Sequence, residues 1–201
     1  MKIENITILT DSTKKFLKTT ILLLCVVAAY GDSVAWNAST DINVGGWGRM
    51  FRLQDGHWLL VDTVYPKGSS HLQVFISTNT CRSWSPIASV TQPDRSLDNG
   101  ELIQITNGAI LLAMRSVLSS NRLNYSYSLP VYQSTNGGTN WALLSFLETN
   151  NVPAGTTTNG LWEPILRILD DGRLAALYSS EIFEPTFNQL ISERISTDNG
   201  A

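Results

Sequence analysis

Two carboxylates frame the segment GLWEPILRILDDGRLAALYSSE, residues 160–181. Glu163 stands directly before a proline at the mouth of an apolar run, and Glu181 closes the run that follows the Asp-Asp-Gly turn. A carboxylate can attack an electrophile or move a proton, but only when a scaffold aims it at the reacting atom. Other polar residues stand at the entries or exits of apolar runs. They are Arg49 before FRLQDGHWLLVDTV, Asn99 before ELIQITNGAILLAM, and Arg115 just after that second run. Trp47, Trp162 and Tyr178 lie beside these positions and offer flat faces, with Gln189 and Tyr125 as lesser candidates. His57 and His71 are the only histidines, which argues against a Ser-His-Asp triad and against a metal centre. No cofactor motif is present.

The elements that must position these residues are strands. Three segments superimpose: RMFRLQDGHWLLVDTV with LQVFISTNTCRSWS, GELIQITNGAILLAMRSV with LPVYQSTNGGTNWA, and WEPILRILDDGRLAALYSS with NQLISERISTDNGA. Each reads as an apolar strand, a turn on Asp-Gly or Asn-Gly, a second strand, a variable loop, a third strand, and then Ser-Thr-Asn or Ser-Thr-Asp. Asp55-Gly56, Asn107-Gly108 and Asp171-Gly172 are strong hairpin signals, because these pairs tolerate the positive φ of tight turns. The Ser-Thr pairs begin at Ser77, Ser134 and Ser196, giving spacings of 57 and 62 residues. Such a period with several strands per unit predicts an all-β chain, a β-propeller built of four-stranded antiparallel blades. The repeats fall at about residues 45–90, 95–145 and 160–201. In this architecture the strand before each Asp-Gly turn is the innermost of its blade, so Arg49, Asn99 and Glu163 are expected at equivalent places on the tunnel rim. Pro164 suits the first position of a strand and biases Glu163 toward an extended backbone rather than a helix.

Ahead of the repeats, Lys14, Lys15 and Lys18 precede TTILLLCVVAAYGDS, whose apolar core ends in Ala29 and Gly31. That pattern predicts a secretory signal over residues 1–31 and a secreted, extracellular product over residues 32–201. The run is too short for the ~20 residues of a membrane-spanning helix. The remaining chain holds ten basic and fifteen acidic side chains, a net charge near −5, which argues against nucleic acid and anionic membranes as partners. Cys81 is then the one cysteine left, so no intrachain disulfide can form. Asn37-Ala-Ser39 and Asn124-Tyr-Ser126 are glycosylation sequons.

The repeat ends carry a more specific pattern. STNTCRSW (77–84), STNGGTNW (134–141) and STDNGA (196–201) resemble the Asp-box, or BNR repeat, Ser-x-Asp-x-Gly-x-Thr-Trp, of the sialidase superfamily of six-bladed propellers. The first copy carries Cys81 in place of Gly, and the second Asn140 in place of Thr. True sialidases open with Arg-Ile-Pro, where this chain has Arg49-Met50-Phe51. It is closer to the fungal-type exo-arabinanases, which it resembles in Arg-x-x-Arg-Leu-x-Asp-Gly (Arg49 to Gly56), in an Asn leading a strand that closes on Ala-x-Arg (Asn99 to Arg115), and in Trp-Glu-Pro followed by Tyr-Ser (Trp162 to Ser179). The resemblance spans residues 45–201 and implies a secreted, exo-acting, retaining glycoside hydrolase with a carbohydrate substrate. It makes Glu163 the catalytic nucleophile, with Arg49, Asn99, Arg115, Trp162, Tyr178 and Glu181 as substrate-binding candidates, and it puts the acid/base in a later blade, past residue 201. About three blades of an expected six are present, so open blade faces are expected to drive self-association. A non-catalytic glycan-binding propeller is the competing expectation.

Overall fold

The computed structural model describes residues 45–66, 69–120, 124–152 and 159–201, all within the unit Ile42–Ala201. The expected signal over residues 1–31 and the sequon at Asn37 lie outside the described residues. The described chain is all-β, with three antiparallel meanders. The first holds β1 (Gly46–Arg52), β2 (Trp58–Val64), β3 (His71–Ser77) and β4 (Ser85–Val90). The second holds β5 (Arg95–Gln104), β6 (Ile110–Ser120), β7 (Asn124–Ser134) and β8 (Ala142–Val152). The third holds β9 (Leu161–Ile168), β10 (Leu174–Ser180) and β11 (Leu190–Ser196). The sheets are partial propeller blades, and β5 packs beside both β1 and β9.

Local chemistry explains why the hairpins form where they do. In each first turn an Asp or Asn side chain accepts the backbone N–H two residues on: Asp55 from His57 at 2.9 Å, Asn107 from Ala109 at 3.0 Å, Asp171 from Arg173 at 3.1 Å. The glycine between them takes φ of 89°, 88° and 85° in turn, a region closed to most side chains. The Ser-Thr turns at the far ends repeat just as closely. Ser77, Ser134 and Ser196 each receive a backbone N–H from four residues on, at 3.0, 2.9 and 2.7 Å. Each serine also donates its hydroxyl to the Asn or Asp two residues on. Trp141 seals the second turn by donating Nε1–H to the Gly138 carbonyl at 2.8 Å while its ring packs on the core.

Two crevices hold the apolar mass. Leu59, Val61, Leu72 and Val74 of the first sheet meet Leu97, Leu102, Ile110 and Leu112 of the second. On the other side Ile103, Leu111, Ala113 and Val131 meet Leu166, Leu174 and Ala176 of the third. The middle sheet is covered on both faces, which is why Ile110 to Met114 form an unbroken apolar run where a one-sided strand would alternate. Each fully buried Leu contributes about 1.5–3 kcal/mol. The crevices therefore fix the inner strands β1, β5 and β9 relative to one another.

Candidate active site

Each inner strand breaks its pairing once, and at the same place. The register of β1 against β2 shifts between Gly46 and Arg49, that of β5 against β6 between Asp98 and Glu101, and that of β9 against β10 opposite Leu177 and Ser179. At the break one residue adopts left-handed φ: Trp47 at 61°, Asn99 at 52°, Glu163 at 47°. Each stands nine residues before the glycine of its hairpin turn. These are β-bulges, which re-aim a side chain and are over-represented beside active sites. Glu163 is thus not extended as its place before Pro164 suggests, and Pro164 is the fourth residue of β9 rather than its first, because the bulge overrides the local bias. A positive φ at Trp or Glu is strained, of order 1–3 kcal/mol, and persists only where the surroundings impose it.

The bulges correct one expected equivalence. Trp47, and not Arg49, is the first-blade counterpart of Asn99 and Glu163, because Arg49 lies two residues past the bulge and aligns with Glu101 and Ile165. Its guanidinium ties the blades together. It reaches Glu101 at 3.4 Å and the Pro164 carbonyl at 3.2 Å, while the other Glu101 oxygen holds Arg167 at 3.0 Å.

Glu163 itself is exposed. Behind it lies a compact polar cluster. Arg115 pairs with Asp98 at 2.8 Å across the β5–β6 hairpin, and its guanidinium sits 3.9 Å from the ring centroid of Trp162 and 5.6 Å from that of Tyr127. The Trp162 and Tyr127 rings meet at 6.5 Å and 41°. Burial pushes the Asp98 carboxyl above its ordinary value. Arg115 opposes that shift, and the charge of Glu163 reinforces it, so the two carboxylates sense each other. Asp98 Oδ1, Arg115 Nε and Trp162 Nε1 are buried without a protein hydrogen-bond partner among the described residues. Buried polar groups are rarely left so, and three together mark a place where water or a ligand hydroxyl completes the bonding. Asp98 spends Oδ2 on Arg115 and leaves Oδ1 for water or a ligand hydroxyl. It acts by holding Arg115, and through it Trp162, behind Glu163.

The structure thus gathers Glu163, Trp162 and Arg115, and sets Asn99, itself buried, at the matching bulge of the second blade. It separates two other candidates from them. Tyr178 does not offer the flat face to a sugar that the sequence suggests: its ring is in the core with Val117, Leu129 and Leu161, and only 4% of it is exposed. Its hydroxyl donates to Glu148 at 3.2 Å, a carboxylate also held by Arg194 at 2.8 Å. Tyr178 lies opposite the bulge, in the break between Leu177 and Ser179, with its ring against the second blade. Glu181 is spent on its own loop, where it accepts the Gly160 N–H at 2.8 Å and its backbone N–H donates to the Gly160 carbonyl at 3.0 Å. Gln189 just precedes β11, and the Tyr125 side chain lies outside the described residues. Sequence reasoning misses Asp98 and Glu101. Counting nine residues back from each turn glycine singles out Trp47, and with it the Asp98 that flanks Asn99. Among the described residues no three His, Cys, Asp or Glu side chains converge as a metal ion would require.

No protein-family model matches the sequence, and no curated protein does. Solved structures do match by fold. The Penicillium chrysogenum α-L-arabinanase complexed with arabinobiose superimposes with a TM-score of 0.60 at 21% identity, over 77% of this chain and 46% of that one. The GH93 α-L-arabinofuranosidase of Fusarium graminearum with arabinobiose gives 0.60 at 20% identity, over 76% and 45%. An endo-arabinase of Bacteroides thetaiotaomicron gives 0.50 at 18% identity, over 80% and 60%. The chain shares the propeller fold of these proteins, and it spans under half the length of the first two.

Proposed function

We propose that this chain is part of a secreted, retaining glycoside hydrolase of the exo-arabinanase type, acting on terminal sugars of arabinan, with Glu163 as nucleophile. The observation that carries the reading is the exposed Glu163 on a strained bulge, backed by the Asp98–Arg115–Trp162 cluster, on a fold shared with arabinobiose-bound proteins. A glutamate has no reason of its own to adopt left-handed φ, and strain of this kind collects at sites of chemistry. In the reaction the Glu163 carboxylate attacks the anomeric carbon as the glycosidic bond breaks, and an acid/base partner protonates the leaving oxygen. The same partner then takes a proton from water, which releases the sugar from the glutamyl ester with net retention. We assign that partner to a later blade, as the resemblance to the exo-arabinanases implies. The three Ser-Thr turns, read as Asp-boxes, lie at the far ends of the blades and do no chemistry.

One observation favours a second reading, a glycan-binding propeller without hydrolysis. Among the described residues the carboxylate that senses Glu163 is Asp98, and Asp98 is locked to Arg115. Incubation of the full-length protein, including the blade that supplies the acid/base, with arabinan and with a sialoside separates the readings. The hydrolase should release arabinobiose from arabinan and no sialic acid, and Glu163→Gln should lower that turnover about a thousandfold or more while the melting temperature holds. Binding of arabinan without any release would favour the second reading, and release of sialic acid would overturn the substrate assignment.

A further inference from the structure

The bulge that aims Glu163 in the third blade aims Trp47 in the first. Trp47 is 63% exposed, an unusual state for the largest apolar side chain, and it holds φ 61°, a conformation that bulky residues avoid. Its neighbours make the placement rigid. A Cβ on Gly45 would lie 2.4 Å from the Thr63 carbonyl oxygen, and one on Gly48 would lie 3.3 Å from Leu60 Cδ1. On the Gly45 side the backbone is therefore seated so closely on β2 that only glycine fits, and on the Gly48 side a Cβ would press on the Leu60 side chain. At Gly46 a Cβ would meet the ring of Tyr65, 3.4 Å from Cε2. Tyr65 is itself 60% exposed. Two large exposed aromatic side chains thus flank one glycine at the entry of the first inner strand, in the register that carries Asn99 and Glu163 in the other two.

We propose that Trp47 and Tyr65 form a sugar-binding subsite that receives the apolar C–H face of a pentose ring one residue away from the bond that Glu163 attacks. An indole and a phenol supply broad, stiff contact area at little conformational cost, and their N–H and O–H can reach ring hydroxyls. The Gly-Trp-Gly bulge is the device that presents the indole, and the strain at Trp47 is the counterpart of the strain at Glu163. The inference rests on the proposed reading that this rim holds a carbohydrate, and its failure can be told apart from failure of that reading.

The test uses the full chain carrying Glu163→Gln, titrated calorimetrically with arabinobiose, alone and combined with Trp47→Ala, Trp47→Phe or Tyr65→Ala. Trp47→Ala should weaken binding about tenfold or more, equivalent to about 1.4 kcal/mol, and Trp47→Phe should stay within about threefold of the parent. Tyr65→Ala should fall between them. A second measurement needs no substitution: N-bromosuccinimide oxidises exposed indoles, and saturating arabinobiose should slow oxidation of Trp47, mapped by mass spectrometry, without protecting Trp58. Parental affinity in Trp47→Ala, an unprotected Trp47, or a parent that binds no arabinobiose overturns the subsite. If binding depends on Trp47 and yet arabinan is never cleaved, the subsite stands and the hydrolase falls. If cleavage depends on Glu163 but not on Trp47, the hydrolase stands and the subsite falls.

Discussion

The three Ser-Thr turns and the three inner-strand bulges are both repeated features, and they repeat in opposite ways. The turns keep residue type and geometry together: a serine, an Asn or Asp two residues on, and the same hydrogen bond from the backbone four residues on. The bulges keep only the backbone. Their register and left-handed φ recur, but the residue is Trp47, then Asn99, then Glu163. A feature that must hold each blade together is constrained to one chemistry. A feature that fixes only the backbone is free to carry a different group in every copy, which is what the proposed carbohydrate site would use.

The largest effect on stability should come from the support behind the third bulge. Arg115→Ala removes the partner of buried Asp98 and the guanidinium from Trp162, and it should lower the unfolding free energy in urea by about 3 kcal/mol. Adding Asp98→Asn should recover part of that loss, since the uncompensated charge goes with it. A simple additive double mutant would mean the two groups are not coupled.

Two glycine substitutions sharpen the comparison itself. Cys81 holds φ 62° at a turn position where the other copies have Gly138 and Gly200. Cys81→Gly should therefore stabilise by about 0.5–1 kcal/mol, the left-handed penalty less the extra freedom of glycine, and leave activity alone. Glu163→Gly should gain stability by a similar margin and lose turnover entirely. If the bulge glycine destabilised instead, the strain assigned to Glu163 would be wrong.

The smallest effect is a pH dependence. Burial, with Glu163 adding to it, raises the Asp98 carboxyl above its unfolded value, so the native state takes up this proton before the unfolded chain does. The resulting stability is fully present below the ordinary carboxylate value and is lost as pH rises through the folded one. Relative to the wild type, Asp98→Asn should accordingly look worst in acid and improve toward neutral pH, a trend readable in melting temperatures. A constant offset between the two proteins would show that Asp98 is not held in this way.

The same contrast explains what is legible in the sequence. Asp55-Gly56, Asn107-Gly108, Asp171-Gly172 and the Ser-Thr pairs announce themselves because their residue types make the local hydrogen bonds and supply the unusual φ. The three blades follow from those signals. The bulges are invisible in this sense, since nothing about Trp47 or Glu163 favours left-handed backbone. Cross-strand pairing and packing impose it, and without the bulge the register of Arg49 is misjudged by two positions. Arg115 stands out in the sequence but its partner Asp98 does not, because that pairing depends on register restored beyond the bulge. Trp162 and Tyr178 look alike as strand aromatics, yet one stands against Arg115 and the other lies in the core with its hydroxyl on Glu148.

The claim that the third bulge aims a nucleophile can be tested by trapping. An arabinoside fluorinated at C2 and carrying a good leaving group lets the glycosyl-enzyme form and then slows its hydrolysis, so the covalent adduct accumulates. In protein that cleaves arabinan, peptide mass spectrometry should find the sugar on the segment LWEPILR, residues 161–167, attached to Glu163, and Glu163→Gln should abolish the label. A label on any other carboxylate, with Glu163 unmodified, would contradict the account.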